Sequence, residues 1–159
     1  MRAKNPPSRT LGSFVSSVAN IISFLESSVE LSSPALAKSK HYYDFSKNPT
    51  TRDKHIYAIR PGSASVVNGT LKSITVKQDF FLEISRDFFL SEADDNKLRE
   101  TIDAIYSDNE KIQKEISFRK LDDILKISPP SFDAPVMNDN GRSVSIIFTY
   151  EIFYRKGVV

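Results

Sequence analysis

The stretch GRSVSIIFTYEIFYRKGVV, residues 141–159, decides the fold because its side chains alternate over more than ten positions. Successive side chains of a β-strand point to opposite faces of its sheet, so this pattern predicts a long strand with one buried face. The apolar positions are Val144, Ile146, Phe148, Tyr150, Ile152 and Tyr154, and the polar positions include Ser145, Thr149, Glu151 and Arg155.

A second alternating stretch precedes it at 63–88. Asn68-Gly69 is a hairpin turn signal, and the strand after it, with apolar residues from Ile74 to Ile84, is expected to exceed ten residues. The segment before it, 55–62, is expected to be a short strand that stops at Pro61-Gly62.

Two smaller strand signals lie between this stretch and the final strand. Residues 122–128 form one predicted strand, which Pro129-Pro130 ends. The residues after it are expected to form a hairpin arm that turns at Asn140-Gly141 and leads into the final strand.

Two segments have the apolar period of a helix. The first begins at Thr10, and its stripe ends at Val29. The second covers 91–116, with Ser91 as N-cap and the polar run 107–109 as a candidate break. The stripes are Leu11, Phe14, Val15, Val18, Ile21, Ile22, Leu25 and Val29 in the first, and Leu98, Ile102, Ile105, Ile112 and Ile116 in the second.

The order of these elements predicts an α+β fold, with two main helices packed on one face of a mainly antiparallel sheet. A length of 159 residues favours a single domain, expected at 10–159. Residues 1–9 are expected to form a flexible N-terminal tail, and 32–54 a long loop.

Composition excludes several functions. The chain has no cysteine, which excludes disulfides, thiolate nucleophiles and Cys-ligated zinc. The net charge of +2 does not indicate nucleic-acid binding. Residues 11–31 are too polar for a membrane span, and nothing in the sequence indicates a membrane or secretion.

No motif for catalysis, a metal or a cofactor is present. His41 and His55 are the only histidines, and neither has a companion at metal-ligand spacing. There is no Walker loop, GxGxxG or GxSxG motif. The pairs Asp94-Asp95 and Asp122-Asp123 are accounted for by solubility and the helix dipole. We therefore expect a protein that is not an enzyme and has no cofactor.

The candidate functional residues are instead aromatic and basic, with one isoleucine. The aromatics in the long loop either dock that loop on its own core or contact a partner. Three residues on the second face of their strands, Phe81, Ile147 and Phe153, are expected to meet either the helices or a neighbouring subunit. The full candidate subunit or partner interface is Tyr42, Tyr43, Phe45, Arg52, Arg60, Phe81, Ile147 and Phe153.

Three segments follow one another along the chain: the central segment YAIRPGSASVVNGTLKSITVKQDFFLEI, the helix containing LRETIDAIYSD and the final strand SVSIIFTYEIFYR. Over residues 10–156 this order resembles that of the tail terminator proteins of long-tailed bacteriophages, with 32–54 as an insertion. The resemblance implies a structural virion protein at the tail–neck junction, assembled in the host cytoplasm.

The same resemblance implies the partners. Copies would form a ring, usually hexameric, on the last ring of the tail tube protein, stop tube elongation and dock a head-completion or neck protein. Genomic DNA would pass through the lumen without sequence-specific binding. Alternatives are another neck, head–tail connector or tail-completion protein, a small bacterial α+β ligand-binding domain or enzyme, and a nucleic-acid-binding module.

Overall fold

The computed structural model describes residues 17–39, 55–70, 72–87, 95–137 and 143–157. These described residues form two helices and a seven-stranded sheet. In chain order the elements are α1 (Val18–Ser32), β1 (Ala37–Lys38), β2 (His55–Gly69), β3 (Ser73–Asp87), α2 (Asp95–Phe118), β4 (Ile124–Ile127), β5 (Ser131–Phe132), β6 (Val136–Met137) and β7 (Ser143–Gly157).

The sheet is built around the pair β3–β7. Its order is β1-β2-β3-β7-β4, and β5 and β6 also pair with β7. Every pairing is antiparallel except that of β1 with β2. β3 and β7 pair without interruption over fifteen residues, from Ser73 with Gly157 to Asp87 with Ser143. At about 3.3 Å per residue, these strands are about 50 Å long. The α+β prediction and the two long strands are confirmed.

The core lies between one face of this sheet and both helices. The six apolar positions predicted on the final strand are all buried, and the alternating residues of β3 join them in one cluster with α1 and α2. We call this side of the sheet the helix face and the other side the open face. Because residues of both helices join the same cluster on one side of the sheet, the prediction that both helices pack on one face is confirmed.

Helix α1 depends on packing more than on helix propensity. The hydroxyl of Ser17 accepts a hydrogen bond from the Asn20 N–H at 3.1 Å, which caps the N-terminus. Serine is a mediocre helix former, but Ser28 is fully buried and donates its hydroxyl proton to the Phe24 carbonyl at 2.9 Å. The predicted stripe is confirmed over the described part of this helix, where Ile21, Leu25 and Val29 are buried.

Helix α2 is continuous, so the proposed break at 107–109 is wrong. Asp108 and Asn109 are buried on the helix and have partners on the sheet. Asp108 accepts two hydrogen bonds from Arg86, at 2.7 and 2.8 Å. Asn109 accepts one from the Tyr150 hydroxyl at 2.8 Å. The polar run therefore joins the helix to the sheet instead of ending it.

Strand β2 does not stop at Pro61-Gly62 as predicted but continues to Gly69. Proline is tolerated in strands at bulges and edges, and β2 has a register shift between Pro61 and Ala64. Gly62 allows the Phe81 ring to approach, because a Cβ on Gly62 would lie 2.7 Å from Phe81 Cε2. The two residues that looked like a terminator are thus a bulge within a longer strand.

The predicted loop at 32–54 is wrong at its beginning, because α1 extends to Ser32 and β1 forms at Ala37–Lys38. A two-residue parallel pairing needs main-chain hydrogen bonds but no side-chain period, so no pattern indicated it. The Ser39 N–H continues it by donating to the Tyr57 carbonyl at 2.8 Å. The rest of the loop, the tail 1–9, the cap at Ser91 and the turn at 140–141 lie outside the described residues.

Candidate assembly interface

Four of the predicted interface residues lie on the open face of the sheet. Phe81, Ile147 and Phe153 alternate with core residues of β3 and β7, so they face away from the helices, and each is partly buried. Arg60 lies opposite Phe81 in the register of β2 with β3. These three apolar residues thus lie on the face away from the helices, and their contact with a neighbouring subunit stays a prediction. Tyr42, Tyr43, Phe45 and Arg52 lie outside the described residues.

Three charged contacts lie on the open face within the subunit. Arg60 Nη1 lies 2.8 Å from Glu83 Oε1, and the two side chains are 14% and 19% exposed. Lys77 Nζ and Glu151 Oε2 are 3.6 Å apart, and Lys126 Nζ lies 5.6 Å from the centre of the Phe153 ring. Paired charges between partly buried apolar residues make a surface that can face either water or a neighbouring protein.

The end of the β2–β3 hairpin carries solvent-exposed apolar side chains. We call this end, residues 64–69 of β2 with 73–78 of β3, the arm. Val66 and Val67 are 62% and 54% exposed there. Val66 lies opposite Val76, a buried member of the core, so Val66 projects on the helix side of the sheet. Sequence reasoning assigned this segment to a hairpin but did not select these valines. The predicted turn at Asn68-Gly69 is wrong in position, because both residues belong to β2 and pair with Thr75 and Ile74 of β3.

Among the described residues, no strand lies beyond either side of the sheet, and we call these two different sides its open edges. Within the part of the chain that the structure describes, β1 pairs with β2 only at Ile56 and Tyr57, so the outer side of β2 has no strand partner from Ala58 to Gly69. β4 ends the strand order on the other side. Unpaired strand edges present main-chain donors and acceptors that can pair with another chain.

The two open edges lie at the same level of the sheet. Ile124 of β4 pairs with Tyr154 of β7, Tyr154 pairs with Val76 of β3, and Val76 pairs with Val66 of the arm. One row of residues perpendicular to the strands therefore runs from one open edge to the other. The sequence could not show this alignment, because it depends on the register of four strands at once.

A cleft of about 670 Å³ opens beside β4, on the helix face. Its apolar lining comes from Phe24, Ile116, Leu121 and Ile124, among others. Arg119 forms part of the lining as well; its Nη1 donates to the hydroxyls of two α1 serines at 2.8 Å each. The cleft thus lies where α1, the end of α2 and the edge strand meet.

Two tyrosine hydroxyls of β7 are buried and form hydrogen bonds within the subunit. Burial raises the pKa of the Tyr150 hydroxyl well above its usual range and raises the pKa of Tyr154. Each of these hydroxyls donates to an amide oxygen at 2.8 Å, Tyr150 to Asn109 and Tyr154 to Gln78. Both tyrosines therefore stay protonated, and they join β7 to α2 and to β3.

The sequence predicts no metal site, no catalytic histidine and no membrane span. Among the described residues, no group of three His, Asp or Glu side chains could hold a metal ion. His55 Nδ1 accepts a hydrogen bond from the Asp87 N–H at 3.4 Å at the end of the β2–β3 pair, and His41 lies outside the described residues. Among the helices that the structure describes, none is long and apolar enough to cross a membrane.

Comparisons with known proteins give no relative. No protein-family model matches the chain, and no curated protein matches it in sequence.

Proposed function

We propose that this chain is a structural virion protein that assembles head to tail into a closed ring, caps the phage tail tube and stops its elongation. The observation that carries the proposal is the pair of unlike open edges at one level of a long sheet. It is supported by the resemblance of the element order in the sequence to that of tail terminator proteins.

Unlike edges favour a ring over a two-fold dimer. A two-fold interface uses the same patch on both subunits, whereas two different complementary patches generate head-to-tail assembly. Head-to-tail assembly closes into a ring if the rotation closes, and otherwise grows as an open filament. Because the two edges lie at the same level, neighbouring subunits can join without a displacement along the strands. This favours closure into a ring over growth as an open filament.

The long β3–β7 pair suits a protein that must hold a ring rigid between two partners. The partners are the tail tube protein on one side and a head-completion or neck protein on the other, with genomic DNA passing through the lumen without sequence-specific binding. The ring would be a hexamer assembled in the host cytoplasm and located at the tail–neck junction. No catalytic step or cofactor is needed for this role.

The experiment has two stages. Native mass spectrometry and light scattering of the purified chain, with negative-stain imaging, measure the ring. The chain is then added to tail tube protein of the same phage as it polymerises, and tube lengths and tube ends are imaged. We expect hexameric rings, shorter tubes and a ring on one end of each tube. Tubes that elongate unchanged and carry no ring would overturn the proposal.

The cleft favours a second candidate, a small ligand-binding α+β domain. Ligand pockets are typically about 300–1,000 Å³ and mostly apolar, and this cleft meets both conditions. Arg119 and Lys120 in its lining would suit an anionic amphiphile. A monomer at every concentration whose melting temperature rises with decanoate would favour this candidate over the ring.

A further inference from the structure

We propose that the arm of one subunit pairs with β4 of the next subunit as an antiparallel strand, with Val66 at the mouth of the next subunit's cleft. The inference rests on the proposed ring and specifies its contact. The chain that occupies the β4 edge is a second copy of this protein, because its arm presents an exposed valine and the β4 edge presents a cleft with apolar lining.

Strand direction is the first argument. Each of the pairings β2–β3, β3–β7 and β7–β4 is antiparallel, so β2 and β4 run in opposite directions. A second copy added beside β4 with its helices on the same side would therefore place its β2 antiparallel to β4. The alternation of the sheet would continue across the subunit boundary with the more stable type of pairing.

Register is the second argument. Following the pairings across the sheet, Ile124 lies in the row of Val66, Lys126 in that of Ser65, and Ile127 in that of Ala64. If two copies meet at the same level, these residues become cross-strand neighbours. The three resulting pairs are isoleucine with valine, lysine with serine, and isoleucine with alanine, so none sets like charges against each other.

The faces of the sheet agree with this register. Val66 projects on the helix side, opposite Val76, and Ile124 packs against the helix-side core. Ile124 also lines the cleft. A neighbour's Val66, which is 62% exposed in the single subunit, would then cover apolar lining of the cleft.

The irregularities of β2 limit how much of the edge can pair. Register shifts between Pro61 and Ala64 and between Val66 and Asn68 interrupt it on both sides, and Pro61 has no N–H to donate. Bulges and proline are devices that protect strand edges from unspecific pairing. The segment left between them, Ala64–Val66, is the one level with β4, so the same features allow one register and disfavour others.

The test is cysteine cross-linking, which the cysteine-free chain allows without a background. The double variant S65C/K126C places one cysteine at each edge on the open face. Directly opposed strand residues have Cβ atoms about 4.5–5.5 Å apart, close to disulfide distance. We expect mild oxidation to give intermolecular disulfides and a covalent ring, at concentrations where mass spectrometry shows the assembly.

The matched control is S65C/S131C. Ser131 is exposed on the same side of the sheet but pairs with Thr149, four rows from the Phe153 row of Lys126. At about 3.3 Å per row, its cysteine would be about 13 Å from the partner position. We expect at least tenfold less disulfide from this pair than from S65C/K126C.

A second variant tests the apolar contact without chemistry. V66K should dissociate the ring, whereas L31K, at a residue 66% exposed at the end of α1, should leave it intact. A ring without S65C/K126C disulfides, or one that V66K leaves intact, would overturn this contact and leave the proposed function standing. Failure of rings to form and of tubes to be capped would overturn the proposed function itself.

Discussion

Replacing Asp108 by alanine should destabilise the subunit, although helix propensity alone predicts the reverse. Alanine is the best helix former and aspartate is among the poorer ones. The Asp108 side chain is 5% exposed, however, and accepts hydrogen bonds from Arg86 Nε at 2.7 Å and Nη2 at 2.8 Å. Removing it leaves the Arg86 guanidinium without its carboxylate, on a side chain that is only 19% exposed.

The structure sets the expected size of this effect. Breaking a buried ion pair by removing one partner costs about 3–5 kcal/mol, and the residual exposure of Arg86 favours the lower end. A loss of about 3 kcal/mol corresponds to a fall in melting temperature of about 6–12 °C for a domain of this size. The double variant R86M/D108L, which removes both charges, should recover most of the loss.

Urea unfolding followed by circular dichroism, at one fixed protein concentration, measures the difference as a change in midpoint at constant slope. The control is D103A, an exposed aspartate on the same helix, which should change stability by no more than about 0.5 kcal/mol. If D108A were as stable as D103A, the ion pair with Arg86 would not stabilise the subunit, and the reasoning would fail.

Three other perturbations have defined outcomes. G62V should cost about 1–3 kcal/mol in the same urea assay, since a Cβ at Gly62 would lie 2.7 Å from the Phe81 ring; an unchanged midpoint would mean that the ring moves freely. Because burial raises the Tyr150 pKa, its proton contributes stability that is complete below about pH 10 and is lost above it, by up to about 1.4 kcal/mol per pH unit. Y150F should therefore be less stable than the natural chain at pH 7, by about 1 kcal/mol for the lost hydrogen bond, with a difference that shrinks above pH 10; a constant difference would contradict this. Deletion of 144–159 removes most of β7, which pairs with β3, β4, β5 and β6, and should abolish cooperative melting, so that a truncated chain with a sharp transition would refute the sheet.

The sequence was sufficient where a period extends over many residues. Alternation predicted β3 and β7, and the three- and four-residue steps predicted the described part of α1 and most of α2, because burial of one face imposes these periods directly. The errors arose where a local signal had a tertiary partner. The run at 107–109 looked like a helix break because the Arg86 and Tyr150 side chains that satisfy it lie far away in sequence.

The interface was harder to predict from the sequence, because a strand edge is open only where no neighbouring strand pairs with it. Phe81, Ile147 and Phe153 could be placed on the second face of their strands from alternation alone. Val66 and the edge of β4 could not be selected, because every strand has two sides, and only the complete strand order shows which sides remain open.

The bulge at Pro61–Ala64 shows how far one residue can determine such a surface. Pro61 lies opposite Phe80, and Ala64 opposite Gln78, so β2 contains one more residue than β3 over this interval. If the same sequence paired with β3 in regular register through this interval, Val66 would lie opposite Thr75 and project on the open face, because a shift of one residue turns every side chain over. The helix-side position of Val66, on which its fit to the cleft depends, is therefore set by the bulge that accommodates the extra residue. From the sequence, Pro61 and Gly62 in this bulge indicated only the end of a strand.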